Sequence, residues 1–141
     1  MLSEGPAKRV LVVDDDEEVL GSMKVLLEVA GFCVGTARNR EEAIKEIEDT
    51  RYDLMILDVT MPMIDGTELF QEIKNTKRCK DVPVVFTSGY PIWTEPEERR
   101  RKIFGQAEAY MQKPFNIEVF IATVRRLAGG GVPADGGSFA R

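Results

Sequence analysis

Short runs of apolar residues alternate along the chain with longer stretches in which apolar residues recur every three or four positions. The short runs are typical of strands buried on both faces, and the longer stretches are typical of amphipathic helices. Strands are predicted at residues 9–13, 33–37, 54–57, 82–87 and 109–112. Because helical stretches separate the strands, the pattern predicts right-handed crossovers and a parallel sheet with helices on both faces. The expected fold is therefore α/β, a doubly wound five-stranded sheet in the order 2-1-3-4-5.

Turn and capping residues mark the ends of the predicted helices. The first helix, residues 17–30, is expected to end before Gly31, and Asn39 with Glu42 is expected to cap the second. Asn116 is expected to begin the last helix. The inward-facing residues should be Leu20, Met23, Leu27 and Ala30 in the first helix, Ala43, Ile44 and Ile47 in the second, Leu69, Phe70 and Ile73 in the third, and Val119, Phe120, Val124 and Leu127 in the last.

Length and composition indicate one globular domain. The chain has 141 residues, of which 43% are hydrophobic and 30% charged. We expect a domain at residues 8–128, an N-terminal extension at 1–7 and a flexible Gly-rich tail or linker at 129–141. The net charge of −5 argues against direct nucleic-acid binding. No apolar run suits a membrane helix or a signal peptide, and Cys33 and Cys79 fit two free cytosolic thiols, so we expect a cytoplasmic location.

The chain contains no histidine, which excludes Ser-His and Cys-His triads and histidine metal ligands. Polar residues instead follow the predicted strands. Asp14, Asp15 and Asp16 follow the first strand, Asp58 the third, and Lys113 the fifth, while Thr87 and Ser88 lie at the end of the fourth. The carboxyl ends of parallel strands meet at one edge of a doubly wound sheet. Three carboxylates, one or two hydroxyls and one ammonium group are therefore expected at this edge, with Asp16 serving as a helix cap.

Carboxylates so close together repel one another unless a cation lies among them. Oxygen ligands without Cys or His favour a hard ion, and Mg²⁺ suits two or three carboxylates with open water positions. Such an ion would also neutralise an incoming phosphoryl group, and Lys113 and Ser88 could bind its oxygens. The combination indicates a site that forms an aspartyl phosphate on Asp58.

Four motifs resemble those of the receiver domain of bacterial two-component response regulators, which has a flavodoxin-like fold. They are VLVVDDDEEV, DLMILDVTMPMIDG, PVVFTSG and YMQKPF, and the resemblance runs from about residue 8 to residue 127. It implies that Asp58 is the phosphoacceptor and that Mg²⁺ is the cofactor. The implied metal ligands are Asp14, Asp15, Asp58 and the backbone carbonyl of Thr60, with Asp15 and Asp58 the likelier direct carboxylate ligands.

The resemblance also implies a switch. Lys113 would bind the phosphate, and its bond to Pro114 would be cis. Counting five residues from Pro83 makes Ser88, and not Thr87, the switch hydroxyl, with Tyr110 the aromatic residue that moves with it. Thr60 and Tyr90 would tune the phosphoryl lifetime.

The implied partners are a sensor histidine kinase or a phosphotransfer protein. Signal would leave through the face formed by the fourth helix, the fifth strand and the fifth helix, which also offers a homodimer interface. One departure from the family lies here, since 25 positions separate Ser88 from Lys113, a few more than usual. In the segment that fills this spacing, residues 91–105, the pattern predicts a capping box at Thr94 and Glu97, a helix end at Gly105 and an anchoring role for Trp93.

Two other functions compete with a phosphoacceptor signalling module that turns over no separate metabolite. One is a Mg²⁺-dependent phosphohydrolase with an aspartyl nucleophile. Such enzymes usually carry a second acid two residues after the nucleophile, where this chain has Thr60. The other is a docking module that works without phosphorylation, which the presence of Asp58, Lys113 and the acidic pair disfavours.

Overall fold

A computed structural model of the chain describes residues 7–59, 66–89, 96–98, 101, 105 and 107–129. Its strands are β1 (Arg9–Val13), β2 (Cys33–Ala37), β3 (Leu54–Asp58), β4 (Val84–Ser88) and β5 (Ala109–Gln112). The helices of these ranges with assigned bounds are α1 (Glu17–Val29), α2 (Arg40–Asp49), α3 (Gly66–Lys74) and α4 (Ile117–Ala128). The helix that we predicted between the fourth and fifth strands falls largely outside the described residues.

All strand pairs are parallel, and the sheet order is β2-β1-β3-β4-β5. Val12 of β1 pairs with Thr36 of β2 on one side and with Ile56 of β3 on the other. This arrangement confirms the predicted doubly wound α/β fold. It also brings the carboxyl ends of β1, β3, β4 and β5 to one edge of the sheet.

The sheet separates two apolar clusters, because successive strand residues face opposite sides. Val10 and Val12 pack with α1 and α4, whereas Leu11 and Val13 pack with α2 and α3. On the second side the ring of Phe70 in α3 meets the ring of Phe86 in β4 edge to face, with centroids 5.3 Å apart. Burial on both faces explains why the central strands are almost entirely apolar.

Short polar side chains begin three of the helices. Asp16 accepts hydrogen bonds from the backbone of Glu18 and Val19, and Asn39 and Asn116 accept equivalent bonds at the starts of α2 and α4. The predicted capping box of α2 is only half formed, since the Glu42 carboxylate accepts from the backbone N–H of Arg38. At the end of α1, Gly31 has a φ of 103°, which explains why the helix stops there.

Two local predictions were wrong. Strand β4 begins at Val84 and not at residue 82, because Pro83 has no N–H with which to extend the ladder. Val119 is 54% exposed, although we expected it to face inward. It precedes the fully buried Phe120, and one residue is a rotation of about 100° around a helix.

In the described part of the chain, no helix has both the length and the apolar character needed to span a bilayer. The boundaries at residues 8 and 128 stay predictions. Residues 1–6 and 130–141 lie outside the described residues.

Candidate functional site

Three carboxylates converge at the carboxyl edge of the sheet. Asp14 follows β1 and is 1% exposed, Asp58 ends β3 and is 3% exposed, and Asp15 is exposed. One carboxylate oxygen from each residue lies within 4.8 Å of those from the other two. The predicted grouping of these three acids is therefore present, and two of them are buried.

The turn after β1 is fixed by hydrogen bonds. The backbone N–H of Asp14 donates to the carbonyl of Ala37 at 3.1 Å, which ties the turn to the end of β2. The N–H of Asp16 donates to Oδ1 of Asp14 at 2.9 Å, and the Asp16 side chain caps α1. Asp16 thus has the predicted capping position, and Asp14 and Asp15 lie between two anchored ends.

Lys113 contacts both buried acids. Its Nζ lies 2.6 Å from Oδ2 of Asp14 and 3.2 Å from Oδ2 of Asp58. Its backbone N–H donates to the carbonyl of Ser88 at 2.7 Å, and the bond to Pro114 is cis, as expected. The sequence placed Lys113 at the correct edge, but the shorter contact is with Asp14 and not with Asp58.

One ammonium group, that of Lys113, contacts two buried carboxylates, so the positive charge does not balance the negative charge. The pKa values of Asp14 and Lys113 reflect this imbalance of charge. Burial raises the pKa of Asp14, and the charge of Asp58 acts in the same direction, although Lys113 and the Asp16 N–H oppose the increase. For Lys113, burial acts to lower the pKa, but the hydrogen bonds and charges of Asp14 and Asp58 outweigh it, so its pKa is raised. The site therefore carries excess negative charge that a further cation would offset.

The donor set fits a hard divalent cation. It consists of carboxylate oxygens only, since the chain has no histidine and neither Cys33 nor Cys79 belongs to the group. Asp14, Asp15 and Asp58 are the described residues able to hold such an ion. Thr60, predicted to add its backbone carbonyl, lies outside the described residues.

Ser88 and Thr87 occupy different faces of the sheet. Thr87 pairs with Asp58 and lies two residues after Val85, which packs with α1 and α4. Ser88 is fully buried and lies two residues after Phe86. Phe86 packs on the α2–α3 side, as does its pairing partner Tyr110. Alternation along β4 thus puts Ser88 and Tyr110 on the same side, as the predicted switch pair requires.

The predicted output face belongs only in part to the described residues. Tyr90, Trp93 and Thr94 lie outside the described residues, whereas Glu97 and Arg101 form an exposed ion pair at 3.0 Å with helical i,i+4 spacing. This pair agrees with the helix predicted in residues 91–105, a segment whose role stays a prediction.

Sequence reasoning missed Arg38. This residue follows β2 at the same edge of the sheet, and its guanidinium group binds Glu17 at 2.7 Å and Glu42 at 2.9 Å. Its position directly after a predicted strand was the available signal. The two acids that it binds could not be identified without the fold.

Comparisons with known proteins agree with the geometry. The family model for the response regulator receiver domain matches residues 10–125. Among curated proteins, the transcriptional regulatory protein PrrA of Mycobacterium leprae is 35% identical over 84% of this chain. The polar-differentiation response regulator DivK of Brucella anthropi is 30% identical over 86% of this chain and 97% of its own length. This chain spans about half of PrrA, as the match covers 49% of that protein.

A solved structure shows the same fold. The CheY-like response regulator receiver domain protein from Methanospirillum hungatei has a TM-score of 0.77 and 27% identity, covering 87% of this chain and 94% of its own. Receiver domains are signalling modules that generally bind Mg²⁺ at an acidic pocket and typically act with histidine kinases or phosphotransfer proteins. With its parallel sheet, its acidic edge and a family match over residues 10–125, this chain belongs to the response regulator receiver domain family of two-component systems.

Proposed function

We propose that Asp58 accepts a phosphoryl group from a phosphohistidine of a sensor histidine kinase or phosphotransfer protein, or from a small phosphodonor, in the presence of Mg²⁺. One observation carries the proposal. The Asp58 carboxylate ends the buried strand β3 within 3.2 Å of Lys113 Nζ and among two further carboxylates. An acid with a purely structural role at a strand end needs only one partner for its charge. It has no need of two further acids at the same edge.

The reaction exchanges one bond to phosphorus for another. An oxygen of the Asp58 carboxylate attacks the phosphorus atom, and the P–N bond to the donor imidazole breaks as its electron pair returns to nitrogen. The imidazole must belong to the donor, since this chain contains no histidine. Hydrolysis of the aspartyl phosphate restores Asp58. The chain thus catalyses only its own phosphorylation and dephosphorylation and is not a metabolic enzyme.

Asp14, Asp15, Asp58 and the carbonyl of Thr60 would hold the ion. When bound, Mg²⁺ supplies positive charge that offsets the charge of the carboxylates and of the phosphoryl oxygens. Lys113 already contacts Asp58 and would bind a phosphoryl oxygen after transfer. Its Nζ also contacts Asp14, so Lys113 would keep a carboxylate partner while it binds the phosphoryl oxygen.

Phosphorylation would shift a population between two arrangements. A phosphoryl group on Asp58 offers Ser88 and Lys113 a new partner, and Tyr110, on the same side of the sheet as Ser88, would move with it. Thr60 and Tyr90 would set the phosphoryl lifetime. The output face is the one formed by the helix before β5, by β5 itself and by α4, and it also offers a homodimer interface.

The cytoplasm is the compartment that fits this function, because two free thiols, exposed Cys33 and buried Cys79, suit a reducing environment. In this proposal the chain acts there with a kinase or phosphotransfer protein and binds neither membrane nor nucleic acid itself. What the phosphorylated form regulates is a property of the whole protein to which the chain belongs.

Intact-mass spectrometry after incubation with acetyl phosphate tests the proposal. We expect one phosphoryl adduct that requires Mg²⁺, that is lost in Asp58→Asn and that persists in Asp49→Asn, a matched change at an exposed acid of α2. An adduct that survives Asp58→Asn, or no adduct at all, would contradict the assignment of Asp58. Steady release of phosphate from a phosphate ester would favour the phosphohydrolase, and failure to accept phosphate would favour the docking module.

A further inference from the structure

Arg38 joins the ends of three elements at the acidic edge. It directly follows β2, its Nη1 binds Oε2 of Glu17 in the first turn of α1 at 2.7 Å, and its Nη2 binds Oε2 of Glu42 in α2 at 2.9 Å. Its backbone N–H also donates to Oε1 of Glu42 at 2.8 Å. The guanidinium fork is therefore held in place on the Glu42 side, and the second nitrogen is directed at Glu17.

Arg38 binds Glu17, which lies at the end of the acidic turn that carries the predicted metal ligands. Glu17 comes after Asp14, Asp15 and Asp16 in the sequence, and Asp14 is bonded through its N–H to the carbonyl of Ala37 at 3.1 Å. Adjacent residues at the end of β2 therefore anchor both ends of the acidic turn. Ala37 holds its start through the backbone, and Arg38 holds its end through a side chain.

The ion pair of Arg38 with Glu17 also reduces electrostatic repulsion within the acidic turn. Five consecutive acids, residues 14–18, occupy the turn and the start of α1, and like charges at this spacing repel one another. Lys113 offsets the charge at Asp14, at the buried end of the turn. Arg38 offsets it at Glu17, at the exposed end, and the pKa of Glu42 on its other side is lowered by the same guanidinium group.

We propose that Arg38 is a positioning residue for the acidic turn, and that it holds Asp14 and Asp15 in the arrangement that binds a divalent cation. The inference rests on the proposed function, in which these acids are metal ligands. Because both ion pairs of Arg38 are solvent-exposed, with side-chain exposures of 52% for Arg38 and 72% for Glu17, they contribute little to global stability. Variants of Arg38 should therefore fold, and their defect should be local to the turn.

Isothermal titration calorimetry, which measures the Kd for Mg²⁺, distinguishes a positioning role of Arg38 from the effect of its charge alone. Arg38→Lys keeps the charge but loses the two-pronged geometry, and we expect its Kd for Mg²⁺ to rise about fivefold. Arg38→Gln should weaken binding at least as much, even though removing a positive charge alone would strengthen the binding of a cation. Lys45→Gln, which removes a charge from an exposed ion pair of α2, is the matched control and should not weaken binding.

Amide hydrogen exchange without Mg²⁺ gives an independent readout. The N–H groups of Asp16 and Glu18 are hydrogen-bonded within the turn, at 2.9 Å each. In Arg38→Gln they should exchange about tenfold faster, whereas Lys45→Gln should match the wild type. Unchanged exchange, unchanged Mg²⁺ affinity in Arg38→Lys, or tighter binding in Arg38→Gln would each overturn the inference. A wild-type protein that does not bind Mg²⁺ would instead contradict the proposed function, and the exchange experiment would still decide whether Arg38 holds the turn.

Discussion

The hydroxyl group of Tyr52 lies directly over Gly35. A Cβ atom added at Gly35 would lie 1.9 Å from Tyr52 Oη and 2.9 Å from Cζ. The same hydroxyl donates to Oε1 of Glu46 at 2.5 Å, and Tyr52 is 6% exposed. One tyrosine therefore links α2 to the start of β3 across β2, and this position in the strand needs a glycine.

Gly35→Ala should destabilise the protein, because the buried ring cannot make room without giving up its bond to Glu46. We expect a loss of about 1–3 kcal/mol in the free energy of unfolding, measured by urea denaturation. Gly21→Ala is the matched control, since a Cβ there meets nothing within 4 Å and α1 would gain about 0.5–1 kcal/mol. The loss at Gly35 should be smaller in a Tyr52→Phe background, and equal losses in the two backgrounds would rule out the hydroxyl contact.

Tyr52 should also make stability depend on pH. Its pKa is raised above 10.0, first by burial and then by the hydrogen bond to Glu46 and the charge of that residue. The folded protein thus retains a proton that the unfolded chain releases, so the stabilisation is complete below about pH 10 and is lost as the pH rises further. Urea denaturation at about pH 8 and pH 10.5 should show a larger loss for wild type than for Tyr52→Phe. Losses of equal size would contradict the assignment.

Removing Lys113 should leave Asp14 and Asp58 without the ammonium group that contacts both. We expect Lys113→Met to lower the free energy of unfolding by about 1–3 kcal/mol near pH 7 in metal-free buffer. The contribution of Lys113 has the sign of a raised pKa, so it is present below its ordinary value of 10.5 and is lost as the pH rises through the folded pKa.

Two further measurements check the Lys113 prediction. Mg²⁺ should stabilise Lys113→Met more than wild type, because the ion then replaces the only described cation in contact with both acids. Lys45→Met, at an exposed pair, should change stability by less than about 0.5 kcal/mol. A Lys113→Met protein as stable as wild type near pH 7 would contradict the electrostatic account of the site.

Arg125 should stabilise the end of α1. Its Nη2 donates to the carbonyl of Ala30, the C-terminal cap of that helix, at 3.0 Å. Arg125→Met should cost about 1 kcal/mol in the free energy of unfolding, whereas Arg126→Met, at the exposed neighbouring position, should stay within about 0.5 kcal/mol. Equal effects of the two substitutions would show that the bond to Ala30 adds nothing.

Predictions from the sequence succeeded where a local pattern decides the structure. Strands β1, β2 and β5 have the predicted bounds, because the apolar runs end at clear polar or turn residues. The convergence of Asp14, Asp58 and Lys113 followed from strand ends alone, since a parallel sheet brings those ends together whatever the side-chain details.

The sequence pattern was insufficient where three-dimensional packing decides the structure. Val119 has the composition of a core residue, but its rotation about α4 relative to Phe120 makes it 54% exposed. The contact of Tyr52 with Gly35 joins positions that no periodicity relates. Lys113 Nζ lies nearer to Asp14, at 2.6 Å, than to Asp58, at 3.2 Å. Strand order does not determine such side-chain distances.

The parallel sheet also sets the order in which a growing chain can complete its acidic edge. Parallel neighbours cannot form as hairpins, and Lys113 is synthesised 99 residues after Asp14 and 55 after Asp58. Until β5 pairs with β4, a nascent chain that has already enclosed both acids lacks the ammonium group that contacts them. We therefore expect the addition of the last strand during translation to be the step at which this edge becomes stable, so that the acidic edge of an incompletely synthesised chain is unfinished.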